Sequence, residues 1–196
     1  TNHSSPVVVA MIEDATQVST GAYHTCALRR SGKVACWGGK YGRSGMLSIP
    51  APRDVVGLTD ATQVAAGGEH TCALRKTGTV VCWGMNGAGQ LGNGTWTDHE
   101  SPTDVRELAD VVSIDSASNH TCAILQSHAV KCWGANEHGQ LGDRTTTPRN
   151  TPIAVPNLAD VTAVSTGHRS SCARTRSGQV LCWGELDRNL EESPPK

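Results

Sequence analysis

Eight cysteines fall into four pairs at one spacing, C-x9-C, and every pair sits inside the same phrase. His24-Thr25-Cys26-Ala27-Leu28 leads to Cys36-Trp37-Gly38, and His70-Thr71-Cys72-Ala73-Leu74 leads to Cys82-Trp83-Gly84. His120-Thr121-Cys122-Ala123-Ile124 leads to Cys132-Trp133-Gly134, and Ser170-Ser171-Cys172-Ala173-Arg174 to Cys182-Trp183-Gly184. The first cysteines of successive phrases are 46, 50 and 50 residues apart. Self-similarity at such a period means stacked copies of one supersecondary unit, each too small to bury its apolar face alone.

The spacing can be folded on paper. Between Cys26 and Cys36, pairing residues equidistant from Ser31 sets Arg29 against Lys33, Leu28 against Val34, Ala27 against Ala35 and Cys26 against Cys36. Arg30-Ser31-Gly32 is left as a three-residue loop, whose third position wants a left-handed residue; Gly supplies it. Lys76-Thr77-Gly78 and Arg176-Ser177-Gly178 repeat the arrangement, while the third copy has His128 there, which accepts positive φ at some cost. Counting back from the loop, the cysteines face each other as a non-hydrogen-bonded pair, where side chains stand closest. That geometry suits a disulfide in each hairpin: Cys26–Cys36, Cys72–Cys82, Cys122–Cys132 and Cys172–Cys182. Free buried thiols are one alternative. Metal is another, but zinc sites favour closer C-x2-4-C pairs. Paired cysteines imply an oxidising compartment: extracellular, periplasmic or cell-surface.

Each copy also has a Val-containing strand upstream, such as Thr62-Gln63-Val64-Ala65-Ala66-Gly67. Downstream lies a glycine-rich turn, clearest at Asn86-Gly87-Ala88-Gly89-Gln90-Leu91-Gly92 and Asn136-Glu137-His138-Gly139-Gln140-Leu141-Gly142. Four short strands per copy, without a helical period, make a propeller blade rather than a helical solenoid. Composition agrees: 37% hydrophobic residues, 21 glycines and no Phe leave thin apolar layers rather than a large core. A net charge of −1 gives no field toward nucleic acid. No apolar run approaches the ~20 residues of a membrane span. Thr1 reads as a processed start, with any targeting segment already removed.

The phrase G-x-x-H-T-C-A-L, followed by G-x-V-x-C-W-G-x-N-x-x-G-Q-L-G, resembles the repeat of the regulator of chromosome condensation family. It is similar in particular to the cysteine-paired variety of exported bacterial proteins. The resemblance implies an all-β propeller, usually seven-bladed. Family members include an exchange factor for a small GTPase, a plant ultraviolet-B photoreceptor and a secreted β-lactamase inhibitor. The photoreceptor's Trp-Arg before His-Thr is replaced here by Ala22-Tyr23, Gly68-Glu69, Ser118-Asn119 and His168-Arg169. The chromatin member's basic segments are also missing. The fourth repeat lacks the Asn-x-x-Gly-Gln-Leu-Gly tail, and the first has Gly39-Lys40-Tyr41-Gly42-Arg43-Ser44-Gly45 instead.

The chain is therefore expected to be one domain, 1–196, with repeats at about 15–60, 61–110, 111–160 and 161–196, the last completed by 1–14. Ser5-Pro6-Val7-Val8-Val9 reads as that closing strand. A closed four-bladed ring, an arc completed by a second chain, and a fragment of a larger propeller all remain open.

Trp37, Trp83, Trp133 and Trp183 are expected to pack between blades. His24, His70 and His120 are expected to tie blades by hydrogen bonds. Asp14, Asp60, Asp110 and Asp160 are expected to bond nearby backbone at turns. Function in a repeat protein lies where copies differ on one face. The candidates are Tyr23, Glu69, Asn119, His168 and Arg169 on one rim, and Trp96, an aromatic outside the repeat. Asn2-His3-Ser4, Asn93-Gly94-Thr95 and Asn119-His120-Thr121 match glycosylation acceptors. No catalytic motif, cofactor loop or metal set is recognisable. The expected function is an exported module that binds another protein or a cell-surface glycan, with self-association into a ring as a further expectation. A rim hydrolase or lyase using carboxylates and histidines, and a secreted inhibitor, are the alternatives.

Overall fold

In the computed structural model each cysteine pair lies directly across a hairpin. The model describes residues 4–39 and 48–186. The four hairpins are β2 (His24–Arg29) with β3 (Val34–Gly39), β6 (His70–Arg75) with β7 (Val80–Gly84), β10 (His120–Leu125) with β11 (Val130–Gly134), and β14 (Ser170–Thr175) with β15 (Val180–Gly184). Cys26, Cys72, Cys122 and Cys172 stand opposite Cys36, Cys82, Cys132 and Cys182, each pair disulfide-bonded with Cα atoms 4.1 Å apart. The loops take the expected shape. Gly32, Gly78 and Gly178 have φ of 83°, 76° and 89°, and His128 accepts 64°.

An inner strand lies beside each hairpin: β1 (Ala15–Thr20), β5 (Ala61–Ala66), β9 (Val111–Ala117) and β13 (Val161–Thr166). An outer strand completes three of them: β4 (Ser48–Asp54), β8 (His99–Asp104) and β12 (Arg149–Ala154). The result is three four-stranded antiparallel sheets and one three-stranded sheet, each in chain order. Successive sheets pack face to face, β5 against β1 and β2, β9 against β5 and β6, and β13 against β9 and β10. Three apolar clusters fill the layers, the central one holding Leu74, Val80, Leu91, Ile114 and Trp133.

Side chains of each sheet reach into the next in a fixed direction. Nε2 of His24, His70 and His120 bonds the hydroxyls of Thr71, Thr121 and Ser171 at 2.7, 2.8 and 2.9 Å. The amide of Gln17 donates to the Val64 carbonyl and accepts from the Val64 N–H; Gln63 does the same to Ile114. Asp115 takes over this duty between the third and fourth sheets, accepting from the N–H and hydroxyl of Thr166. The fourth sheet has Ser170 and Ala163 at the His and Gln positions.

The aspartates depart from expectation. Their backbone carbonyls, not their side chains, serve the turn: Asp14, Asp60, Asp110 and Asp160 accept from the N–H of Arg30, Lys76, Gln126 and Arg176. The carboxylates of Asp14 and Asp60 instead accept from Nε of Arg29 and Arg75 at 2.8 and 3.0 Å. The guanidinium at that hairpin position offers a charged donor, which a carboxylate prefers to a backbone amide. The third and fourth repeats have Leu125 and Thr175 there.

The outer faces of the first and last sheets are bare. Val18 is 58% exposed, while its counterparts Val64 and Ile114 are 1% exposed. Val180 is 62% exposed, against 1% for Val80 and Val130. Residues 4–14 carry no strand, and Val8 is fully out in solvent, so Ser5–Val9 does not pair with the fourth sheet here. Among the described residues no helix is long and apolar enough to cross a membrane.

Candidate functional site

In an antiparallel sheet that runs from inner to outer strand, the first and third connections leave by the same end. Two kinds of loop therefore share one face of this molecule. The turns between inner strand and hairpin hold the rim residues; the longer connections after β7 and β11 hold the glycine-rich segments and Trp96.

The rim turns are laced to one another. The Ala22 N–H donates to the Gly68 carbonyl at 3.1 Å, and the Gly68 N–H to the Ser118 carbonyl at 2.6 Å. This fixed backbone brings Tyr23, Glu69, Asn119 and His168 together around an opening of about 440 Å³. Arg169 points elsewhere: its Nη1 donates to Glu185 Oε2 at 3.0 Å, with His138 Nδ1 3.4 Å from the same oxygen. The Arg169 hydrogen bond holds the Glu185 carboxyl below its ordinary value. Arg169 thus borders the third and fourth repeats rather than the opening.

Directly behind the rim lie the tying histidines. Burial lowers all three, holding His70 at about 3 with the neighbouring imidazoles adding to it, and His120 at about 4. They are neutral at ordinary pH and committed to holding the sheets together.

Trp96 sits on a pinned loop. The buried Asn86 amide donates to the Thr95 carbonyl at 2.9 Å and to Asn93 Oδ1 at 3.3 Å, while its own Oδ1 accepts from the Leu91 N–H. The Asn93 carboxamide oxygen takes both the N–H and the hydroxyl of Thr95. The third repeat builds the same scaffold from Asn136, Asp143 and Thr145. Trp96 occupies the place of Thr146 and is 51% exposed. The half-exposed indole follows directly on Thr95, which this hydrogen-bonded frame holds.

Two features escaped the sequence reading. One is the Asn86 and Asn136 hub, signalled by an Asn followed seven residues later by Asn or Asp and then by Thr two further on. The other is the Gln clamp, signalled only by Thr-Gln-Val occurring in the first two repeats. The hub also removes a glycosylation acceptor, because the Asn93 side chain is buried and bonded. In Asn119-His120-Thr121, Thr121 is fully buried. Asn2-His3-Ser4 begins outside the described residues. Among the described residues, no three His, Cys, Asp or Glu side chains converge as a metal set.

Radial four-stranded blades joined in chain order, with a loop face built from the first and third connections, define a β-propeller repeat protein. The chain belongs to the regulator of chromosome condensation (RCC1) repeat family, whose model matches residues 15–41, 61–90, 111–140 and 161–189. A second model of the same repeat matches 77–124 and 129–174. Human WBSCR16 is similar in structure at 24% identity and a TM-score of 0.78, over 91% of this chain and 50% of that one. Yeast RCC1 (Prp20), solved bound to Kap60, gives 24% and 0.75 over 88% and 42%. The ectodomain of the Physcomitrella patens receptor kinase CR4 gives 24% and 0.58 over 87% and 40%. This chain thus spans half or less of the length of these structures. No curated protein sequence matches it.

Proposed function

We propose that the chain is an exported binding module that presents its rim-and-loop face to a partner protein. One observation carries the reading: the residues that break the repeat lie on the face of the fold that a rigid scaffold holds open. Tyr23, Glu69, Asn119 and His168 share one opening, and Trp96 stands exposed on a pinned loop of the same end. A half-exposed indole on a rigid support has the makeup of a binding hot spot. Four disulfides fit an oxidising, non-cytosolic compartment. Fold relatives point the same way, since the yeast protein was solved with Kap60 and studied for its binding to Gsp1p and histones.

The test is photo-crosslinking from position 97 and, separately, from position 23 in the native source, with Trp96 intact and with Trp96→Ala, followed by capture with wild-type and Trp96→Ala protein. A protein adduct from both positions, lost with Trp96→Ala, supports the reading. Release of the captured material by free sugars instead identifies a cell-surface glycan as the occupant. Adducts from neither position put the working face elsewhere.

A further inference from the structure

Four equivalent rim positions are built on one backbone plan and carry four different side chains. The carbonyls of Tyr23, Glu69, Asn119 and Arg169 accept from the N–H of Gly39, Met85, Ala135 and Glu185 at 2.6, 2.9, 2.8 and 2.9 Å. The lacing of Ala22 to Gly68, and of Gly68 to Ser118, adds a second hold on the first three turns. Gly67 and Gly68 also line the opening, and neither could carry a side chain. A Cβ on Gly67 would run into the His70 ring, and one on Gly68 would stand 3.0 Å from the Ser118 carbonyl oxygen. What the opening presents is therefore set by Tyr23, Glu69, Asn119 and His168, on a backbone fixed from both sides.

The charge there is one-sided. Glu69 is the one carboxylate lining the opening, and no lysine or arginine lines it. Arg169 holds the rim position equivalent to Glu69, but its guanidinium is turned to Glu185 at 3.0 Å. Other carboxylates on this end of the molecule are answered: Asp143 by Arg149 at 2.8 Å, and Asp98 by the Asn86 N–H at 2.9 Å. Among the described residues no cation stands within ion-pair distance of Glu69. One blade away, Tyr23 is 49% exposed. One blade the other way, Asn119 brings a neutral carboxamide oxygen. A carboxylate, an aromatic ring and an amide oxygen are together what a guanidinium can use. It is flat, it forks onto a carboxylate with two N–H groups, it stacks on aromatic rings, and it has donors left over. An ammonium would find the charge but not the fork or the stacking. The opening of about 440 Å³ lies within the roughly 300–1,000 Å³ of sites that enclose small groups.

We propose that the rim opening is a receptor for an arginine side chain of the partner protein, its guanidinium paired with Glu69, stacked on Tyr23 and hydrogen-bonded to Asn119. The proposal rests on the reading of this face as a protein-binding surface and names the chemistry the partner brings to it. Trp96 then supplies the apolar contact and the rim the charged one.

The experiment is titration of the whole isotope-labelled chain with the tripeptide acetyl-Gly-Arg-Gly-amide, followed by NMR through the backbone N–H resonances. Those of Gly67, Gly68 and Glu69 are expected to move saturably at millimolar peptide, with Gly178, in a hairpin loop at the other end, unmoved. Citrulline in place of arginine keeps the shape and loses the charge, and should bind at least about threefold more weakly. Lysine in place of arginine should also bind more weakly. Glu69→Gln should cost the arginine peptide as much as citrulline does, and Tyr23→Ala about threefold, the size of an exposed cation–π contact. Both variants should melt with wild type. The citrulline comparison needs no variant, so a loss of fold in Glu69→Gln would still leave the question decided. The proposal is overturned if the rim resonances do not respond at millimolar peptide, if the citrulline or lysine peptide binds as well, or if a folded Glu69→Gln protein binds unchanged. Failure here with Trp96-dependent capture intact removes the arginine site alone; loss of both removes the binding-module reading.

Discussion

Three buried imidazoles make the fold sensitive to acid. In the unfolded chain a histidine titrates near 6.5, whereas burial holds His70 at about 3 and His120 at about 4. The unfolded state therefore binds more protons than the folded state between these values. Stability from these groups is complete above about pH 6.5 and is lost as pH falls toward the folded values. By about pH 4.5 each such histidine should have cost on the order of 2 kcal/mol. Urea melts of wild type and His70→Gln at pH 7.5 and 4.5 check this: the variant is expected to be less stable at 7.5 but to lose less on acidification. An equal loss in both would clear His70 of the role. The tryptophans separate in the same way by position. Trp133→Ala should cost about 3–5 kcal/mol, being fully buried and bonded to Gln90. Trp96→Ala should leave the melting temperature nearly unchanged. A Trp96 variant that unfolds would make that indole structural. The tying histidines were legible because three copies repeat His-Thr-Cys; that Arg169 turns toward Glu185 was not, since the equivalent pairs in the other repeats, Tyr23 with Gly39, Glu69 with Met85 and Asn119 with Ala135, carry no opposite charges to signal it.

At the scale of the element, the hairpin is the most legible unit. A loop of three residues with a left-handed third position fixes register, and register alone places the cysteines face to face. His128 confirms the point by adopting φ of 64° without being Gly. The end of each hairpin was harder to read. Gly84 has φ of 111°, and a Cβ there would stand 2.7 Å from the Glu69 carbonyl oxygen. That constraint comes from the neighbouring strand and is invisible in the Cys-Trp-Gly phrase. Gly84→Ala should therefore lower stability by at least about 1–3 kcal/mol. Gly87→Ala, where a Cβ meets nothing, should be close to neutral. Chemical denaturation of the two variants decides it, and equal midpoints would refute the argument. The misread aspartates belong here too: their partner is set by the residue ending the first hairpin strand, Arg29 and Arg75 in two repeats and not Arg in the others.

For the whole molecule, the sequence counted the blades and left the closure open, because a repeat defines its neighbour contacts and not how many neighbours there are. Val18 and Val180 mark two bare faces that are shaped like the buried ones between them. If a second copy covers them, sedimentation should show association rising through the micromolar range, and Val180→Glu should reverse it. A chain that stays monomeric throughout refutes self-association. The one-way lacing of the sheets has a further consequence. Each histidine, glutamine and aspartate tie starts on the earlier blade and ends on a small hydroxyl or backbone group of the later one. Deleting blades from the two ends is therefore not equivalent. Cutting away the first leaves Thr71 without a partner, a hydroxyl that rotates to serve its surroundings. Cutting away the fourth strips the partners from His120 and Asp115 together, baring an imidazole and a carboxylate that had been settled against it. Shortened chains lacking residues 4–60 should outlast those lacking 161–186 under protease, and a series of such truncations would read the polarity of the stack directly.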